Sequence, residues 1–226
     1  MKIMLLRLEG ALQSWGEHSR WDHRDSADMP TKSGVIGLLG CAMGLPRGDE
    51  RLHELANGLK MAVRADRMGN IMTDFHTVQS RVGKFLNAEG KPRSDTILTP
   101  REYMQDACYT VFLTGKEELL TACCEALRHP VWVACLGRRS CPPSRPLLPF
   151  LTEDYHTLDE AVQYFRWSEP PVYKMPERLS AEVEDINGEK ERNDHPVNSS
   201  AYAYQKRRVR LLSEKTEVKP HADDLR

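Results

Sequence analysis

The chain has 226 residues, of which 40% are hydrophobic and 29% charged, and its formal net charge is −1. This is an ordinary soluble composition with enough apolar mass for a real core, in one large domain or two small ones. So neutral a chain is no basic protein overall, and any nucleic-acid surface must be a local patch found by position.

The opening MKIMLLRLEG reads as a strand ending at Gly10, because polar residues follow directly and no small-residue cleavage site appears. A polar loop, ALQSWGEHSRWDHRDSADMP, comes next and is long enough to be functional. PTKSGVIGLLGCAMGL opens on Pro30 and continues as an apolar helix capped by Thr31 or Ser33. Its longest apolar stretch, Val35 to Leu45, runs about 11 residues, too short to span a bilayer. A second short helix around Glu50 to Gly58 leads into the strand KMAVRAD, and a hairpin-like turn at RMGN leads into IMTDFHTVQ. From Arg81 through Arg101 five Lys/Arg face two acids, a local net of +3, with turn residues and little core. That stretch reads as a protruding arm. REYMQDACYTVFLTG returns as a strand, KEELLTACCEALRHP is an amphipathic helix, and VWVACLG is expected to be another strand. A stiff loop with four prolines, RRSCPPSRPLLP, follows. The order resembles a ferredoxin-like βαββαβ core with an insertion. After residue 150, TLDEAVQYF is a short helix and AYAYQKRRVRLL a basic strand candidate. Residues 177–194, with seven acidic and three basic side chains, are expected to be a solvated loop.

The six cysteines, at 41, 108, 123, 124, 135 and 141, form no C-x-x-C pair and fit neither a zinc site nor a disulfide framework. Cys123 and Cys124 look like reduced, buried thiols. The chain is read as cytosolic, with no cofactor or metal.

Three stretches carry candidate chemistry. Each glycine in the helix, at 34, 37, 40 and 44, costs roughly 0.5–1 kcal/mol relative to alanine. Gly37, Gly40 and Gly44 read as close packing against the sheet. Gly34 lies in the first turn beside Thr31, Lys32 and Ser33. Free amides, the positive dipole end, a lysine and two hydroxyls suit a phosphate, although simple capping explains the same residues. In LGRRSCPPSRP, adjacent Arg138 and Arg139 after a strand end could grip a nucleic-acid backbone or base, or stay solvated. The arm, with Phe85 among basic residues, suits insertion between nucleotides, docking on a neighbour, or a mobile loop. His18 and His23 lie among Arg20 and Arg24, where RNA contact is open and catalysis has no support. His76 lies mid-strand, where a hydrogen-bonded structural histidine is the simpler reading. No acid–base constellation, H-E-x-x-H, acidic metal pair or nucleophile elbow is present.

Taken together and in order, LRLEGALQSWG, PTKSGVIGLLGCAMGL, DFHTV, REYMQDACYTV and LGRRSCP resemble the CasD family, the RAMP-superfamily subunit of type I-E CRISPR Cascade. The resemblance spans residues 5–141. It implies an α+β fold, with a ferredoxin-like (RRM- or RAMP-like) βαββαβ domain over residues 1–150. A thumb hairpin at about 80–100 and a smaller C-terminal β-rich portion over 151–226 complete it. It further implies a non-catalytic, RNA-binding subunit that grips the 5′ handle of the crRNA in antiviral defence. Such a subunit sits in a hetero-oligomeric complex between a CasC-type backbone subunit and a CasA-type large subunit. It meets target DNA only through the complex and no membrane. Carried onto this chain, Gln13, Ser14, Trp15, Thr31, Lys32, Ser33, Gly34, Arg138 and Arg139 would hold the handle. Arg20, His76, Arg101 and Tyr103, Arg81 and Lys84 in the arm, and Ser140 complete the expected RNA-contact set. A metal-independent endoribonuclease processing precursor crRNA is the alternative, and the basic QKRRVR run could face RNA or a neighbouring subunit.

Overall fold

Alternation along the first strand sets the architecture. In IMLLRLE, Met4, Leu6 and Leu8 enter one core and Ile3 and Leu5 another, so both faces of this strand are covered. The computed structural model describes residues 1–20, 22–79, 85–86, 89–93, 96–147, 149–167, 173, 177–198 and 203–215. In chain order the elements begin with β1 (Ile3–Glu9), β2 (Leu12–Gln13), α1 (Lys32–Met43), α2 (Arg51–Gly58), β3 (Leu59–Arg67) and β4 (Asn70–Val78). There follow β5 (Phe85–Leu86), β6 (Pro92–Arg93), β7 (Ile97–Gln105), β8 (Cys108–Gly115) and α3 (Glu117–Arg128). The chain continues through β9 (Phe150–Thr152), α4 (Leu158–Tyr164), β10 (Arg178–Glu184), β11 (Lys190–Asn198) and β12 (Ala203–Lys215).

The result is a mixed α/β structure built on a mostly antiparallel sheet. Among the described residues the main sheet runs β11-β12-β10-β3-β8-β1-β9, every neighbouring pair antiparallel. The helices α1 and α3 cover one face through the core of Met4, Leu6, Val35, Leu39, Val63, Val111, Leu120 and Cys123. The helix α4 covers the other through Ile3, Phe112, Leu158, Val162 and Val183. Apart from the main sheet stand a three-stranded sheet, β2-β7-β4, and the short β5–β6 pair. No helix among the described residues is long and apolar enough to cross a membrane.

Three expectations need correction. The segment VWVACLG is no strand: Val131 N–H donates to Ala42 O (2.9 Å) and Cys41 Sγ donates to Val133 O (3.4 Å). These contacts lash the segment along α1 as irregular chain, leaving Val131, Trp132 and Val133 exposed and β9 to pair with β1 instead. REYMQDACYTVFLTG is two strands in two sheets, broken at Asp106, whose φ of 53° turns the chain. Residues 177–194 are not a solvated loop but β10 and most of β11. Their acids find cations on β12, with Arg207 on Asp194 and Glu184, Arg210 on Asp185, and Lys206 on Glu191. The basic QKRRVR run is therefore largely neutralised within the fold.

Buried charge joins these strands to the start of the chain. Arg192 donates to Glu182 Oε1 and Oε2 (2.8 and 2.9 Å), Glu17 Oε2 (2.8 Å) and Asp28 Oδ1 (3.0 Å). Asp194 accepts from Arg207 Nε (3.0 Å) and Nη2 (2.8 Å) and from the Lys32 amide (2.7 Å). Arg64, fully buried, pairs with Asp66 (2.7 Å) and caps the end of α4 by donating to the carbonyls of Val162, Phe165 and Arg166.

Replacing Arg192 with Met leaves buried Glu17 without its cation and Glu182 with Lys190 alone, and urea unfolding should show a loss of about 3–5 kcal/mol. Burial alone would raise the Asp194 carboxyl, but the Arg207 pair and the Lys32 amide outweigh it and hold the group below its ordinary value. A carboxyl lowered by folding adds stability above its unfolded pKa of about 4 and loses it as the pH falls toward the folded value. Thermal melts across that acid window should decline steeply for the native chain, and less steeply for Asp194→Asn.

Candidate nucleic-acid interface

Two turns meet back to back. Ser14 N–H donates to Leu136 O (3.0 Å), and a Cβ on Gly137 would lie 1.7 Å from Ser14 O. With φ at +90°, position 137 admits only glycine, and the QSWG and LGRRS motifs interlock through it. Behind them, Gln13 Nε2 donates to Ala107 O (2.8 Å) and Gln13 Oε1 accepts from Trp15 Nε1 (3.0 Å). Trp15, 1% exposed, lies against the first turn of α1, where a Cβ on Gly34 would come within 2.7 Å of its ring. Gln13 and Trp15 thus sit inside the molecule.

The helix start is closed from within. Thr31 is the N-cap, accepting from the Gly34 amide (3.3 Å), and the Lys32 amide is taken by Asp194. Lys32 Nζ is buried 3.0 Å from both oxygens of Glu184, and burial lowers its pKa despite that partner. Of the amides expected for a phosphate, that of Lys32 is held by an internal carboxylate, which fits the same dipole end, and that of Gly34 by the Thr31 hydroxyl. Nor do the helical glycines share one role. Gly34 admits Trp15, Gly40 faces Leu52 of α2 rather than the sheet, Gly44 is the left-handed C-cap, and Gly37 faces open space.

The strands β4 and β7 bring together residues far apart in sequence. On one face of this ribbon His76 lies opposite Thr99, its Nδ1 2.8 Å from the hydroxyl, Asp74 opposite Arg101, and Met72 opposite Tyr103. Arg101 Nε is buried and meets no acceptor among the described residues. Arg138 stacks over Tyr103, 4.7 Å from the ring centroid, and donates to Glu102 O (2.9 Å), Arg24 O (3.0 Å) and Asp25 O (3.3 Å). Tyr103 Oη lies 3.5 Å from Ser140 Oγ. Arg138 is therefore mortar between three segments, whereas Arg139 and Ser140 beside it are exposed. Arg20 is exposed and Ser33 half-buried. Arg81, Lys84 and Trp21 lie outside the described residues.

Sequence reasoning named Arg24 only as a neighbour of the loop histidines, although it forms a parallel bridge with Arg101, and it left out the internal acids Glu184 and Asp194. No local pattern marks such long-range partners. All six cysteines are free, and burial pushes the Cys123 thiol up to about 12, which makes it inert.

Residues 3–210 match the profile of the family described as CRISPR-associated protein (Cas_Cas5). The chain is 35% identical over 156 residues to the CRISPR system Cascade subunit CasD of Escherichia coli (strain K12), covering 64% of this chain and 68% of that relative. Among solved structures, a chain of a CRISPR RNA-guided surveillance complex superposes with a TM-score of 0.78 at 32% identity, over 98% of this chain and 95% of the other. A crystal structure of a Cas protein matches with a TM-score of 0.72 at 32% identity, over 95% and 96%. With nearly its whole length matched, this chain belongs to the Cas5 family of CRISPR-associated proteins, as a CasD-type member.

Proposed function

We propose that the chain is a non-catalytic RNA-binding subunit of a type I-E CRISPR surveillance complex, gripping the 5′ handle of the crRNA. Its nearly full-length likeness to a chain of such a complex supports the assembly. The strand order β3-β8-β1-β9, with α1 following β1 and α3 following β8, supports reading the core as a ferredoxin-like βαββαβ unit. The ribbon of β4 and β7 is then the base of a thumb.

One observation carries the RNA reading. Arg101, Tyr103, Arg138 and Ser140 converge from separate stretches of chain onto one side of β7, with an orphaned guanidinium nitrogen among them. The Tyr103 ring is buried and covered by Arg138, so it shapes this face from beneath, and the Arg101 guanidinium with exposed Arg139 and Ser140 suits phosphates. In this reading Gln13, Trp15, Thr31, Lys32 and Gly34 set the shape from inside. Arg20, Ser33, His76, Arg101, Arg139 and Ser140 meet the handle, with Arg81 and Lys84 reaching it from the arm, while Ser14 is buried and holds its turn from within. Ile71, Phe75 and Leu98 are exposed on the opposite side of the ribbon, which fits a protein neighbour of the CasC or CasA type. Target DNA is met through the complex alone, in the cytoplasm.

Arg138 and Arg139 separate the two kinds of role. Arg139→Ala should weaken handle binding by about 1 kcal/mol and lower the salt slope by about 1, with the melting temperature unchanged. Arg138→Ala frees three carbonyls and should lower both stability and affinity. Filter binding of end-labelled repeat RNA at several salt concentrations, with a gel to detect cleavage, checks both. A discrete metal-independent cut at the repeat by the wild-type chain would replace this reading with an endoribonuclease.

A further inference from the structure

Glu102 is a carboxylate set in β7 between Arg101 and Tyr103, on the opposite face by strand alternation yet only one residue away, within a Debye length of a phosphate held there. A negative charge so placed opposes RNA binding, and its contacts show what it does instead. The Glu102 amide donates to Arg24 O (2.8 Å) while the Arg24 amide donates to Pro100 O (2.9 Å). This two-bond parallel bridge lays the 23–26 segment along the edge of β7 beyond the two residues of β2. The carboxylate then closes over it, Oε2 accepting from the Ser26 amide (3.2 Å) and Oε1 lying 3.0 Å from His23 Nε2. The Glu102 carbonyl also takes Arg138 Nη1 (2.9 Å). One residue thus ties the polar loop, the ribbon and the arginine turn together.

Within the loop, Asp25 does the complementary work. Its carboxylate accepts from the Glu17 (3.2 Å) and His18 (2.7 Å) amides and from the Ser19 hydroxyl. Burial works against its charge, but these hydrogen bonds hold it below the usual carboxylate range. The Arg20 amide donates to His23 O (2.7 Å), so the crest bearing the exposed Arg20 is folded on itself.

The geometry points to Glu102 as a positioning residue that straps the 17–27 loop to β7, presenting the Arg20 crest, Arg24, Arg101 and Arg138 as one preformed surface. It acts through the loop and not on the RNA, and it rests on the RNA-binding reading above. A surface already ordered loses less freedom when RNA arrives.

The sign of the effect tests it. Deleting a negative charge near phosphates tightens RNA binding by itself, whereas losing the strap weakens it. The full chain and its Glu102→Ala, Glu102→Gln and His23→Ala variants are titrated with RNA bearing the 5′ handle at several salt concentrations. Glu102→Ala should bind about 10-fold more weakly, with a salt slope lower by about 1 as the loop arginines disengage. Glu102→Gln keeps an acceptor for the Ser26 amide and should recover part of the loss. His23→Ala, an exposed change that spares the core, should cost about 2- to 3-fold, and it decides the matter if Glu102→Ala does not fold. Hydrogen exchange at the Ser26 amide should quicken in Glu102→Ala whether or not RNA is present. Unchanged or tighter binding by the variants of an RNA-competent chain, or an unchanged Ser26 exchange rate, overturns the strap. A wild-type chain that holds no handle RNA at any salt sinks the RNA-binding reading instead.

Discussion

The structure hangs on pairing buried arginines with acids contributed by distant strands. Arg192 gathers Glu182 from β10 with Glu17 and Asp28 from the loop after β2. Arg207 of β12 meets Asp194 of β11, which also holds the first amide of α1. Charges taken out of water cost several kcal/mol each, and only complete pairing repays this. The network therefore admits one arrangement. A one-residue slip of β12 would turn Arg207 and buried Val209 to the other face, breaking the fitted pair with Asp194 and emptying a core position. In this way the C-terminal strands, which extend the main sheet from β3, set the position of α1 and of the polar loop at the other end of the chain.

The same constraint decides which polar groups remain free. The N-terminus of α1 has the amides and dipole that an anion needs, yet Asp194 already supplies the anion. The arginines divide likewise. Arg64 caps α4, Arg138 binds three carbonyls, and Arg192 and Arg207 are spent on internal acids, whereas Arg20 and Arg139 face outward. Charge of one sign and one residue type thus serves two ends. Arginine's planar fork suits the inner set because it satisfies several fixed acceptors at once.

Much of this was legible beforehand, and the legible parts share a cause. The strands at β1, β3, β4 and β12, the helices α1 to α4 and the Thr31 cap rest on alternation, helical spacing and a local side-chain bond, all short-range. The failures are long-range. VWVACLG has strand composition, but α1 supplies partners for Val131 and Cys41 that replace a ladder. The acidic 177–194 stretch looks solvated until the basic strand that neutralises it is laid alongside. Gly40, expected to pack on the sheet, is explained by Leu52 of α2.

By itself the sequence determined that the chain is a near-neutral protein of mixed helices and strands, where most of its elements lie, and which motifs mark it as CasD-type. Those properties follow from local propensity and from the order of residues. The tertiary structure decided which cations are spent inside the fold, which face outward, and how the QSWG and LGRRS turns, the polar loop and β7 come to share one surface. Burial and hydrogen-bond partners belong to pairs of residues distant in the chain, and only folding brings such pairs together.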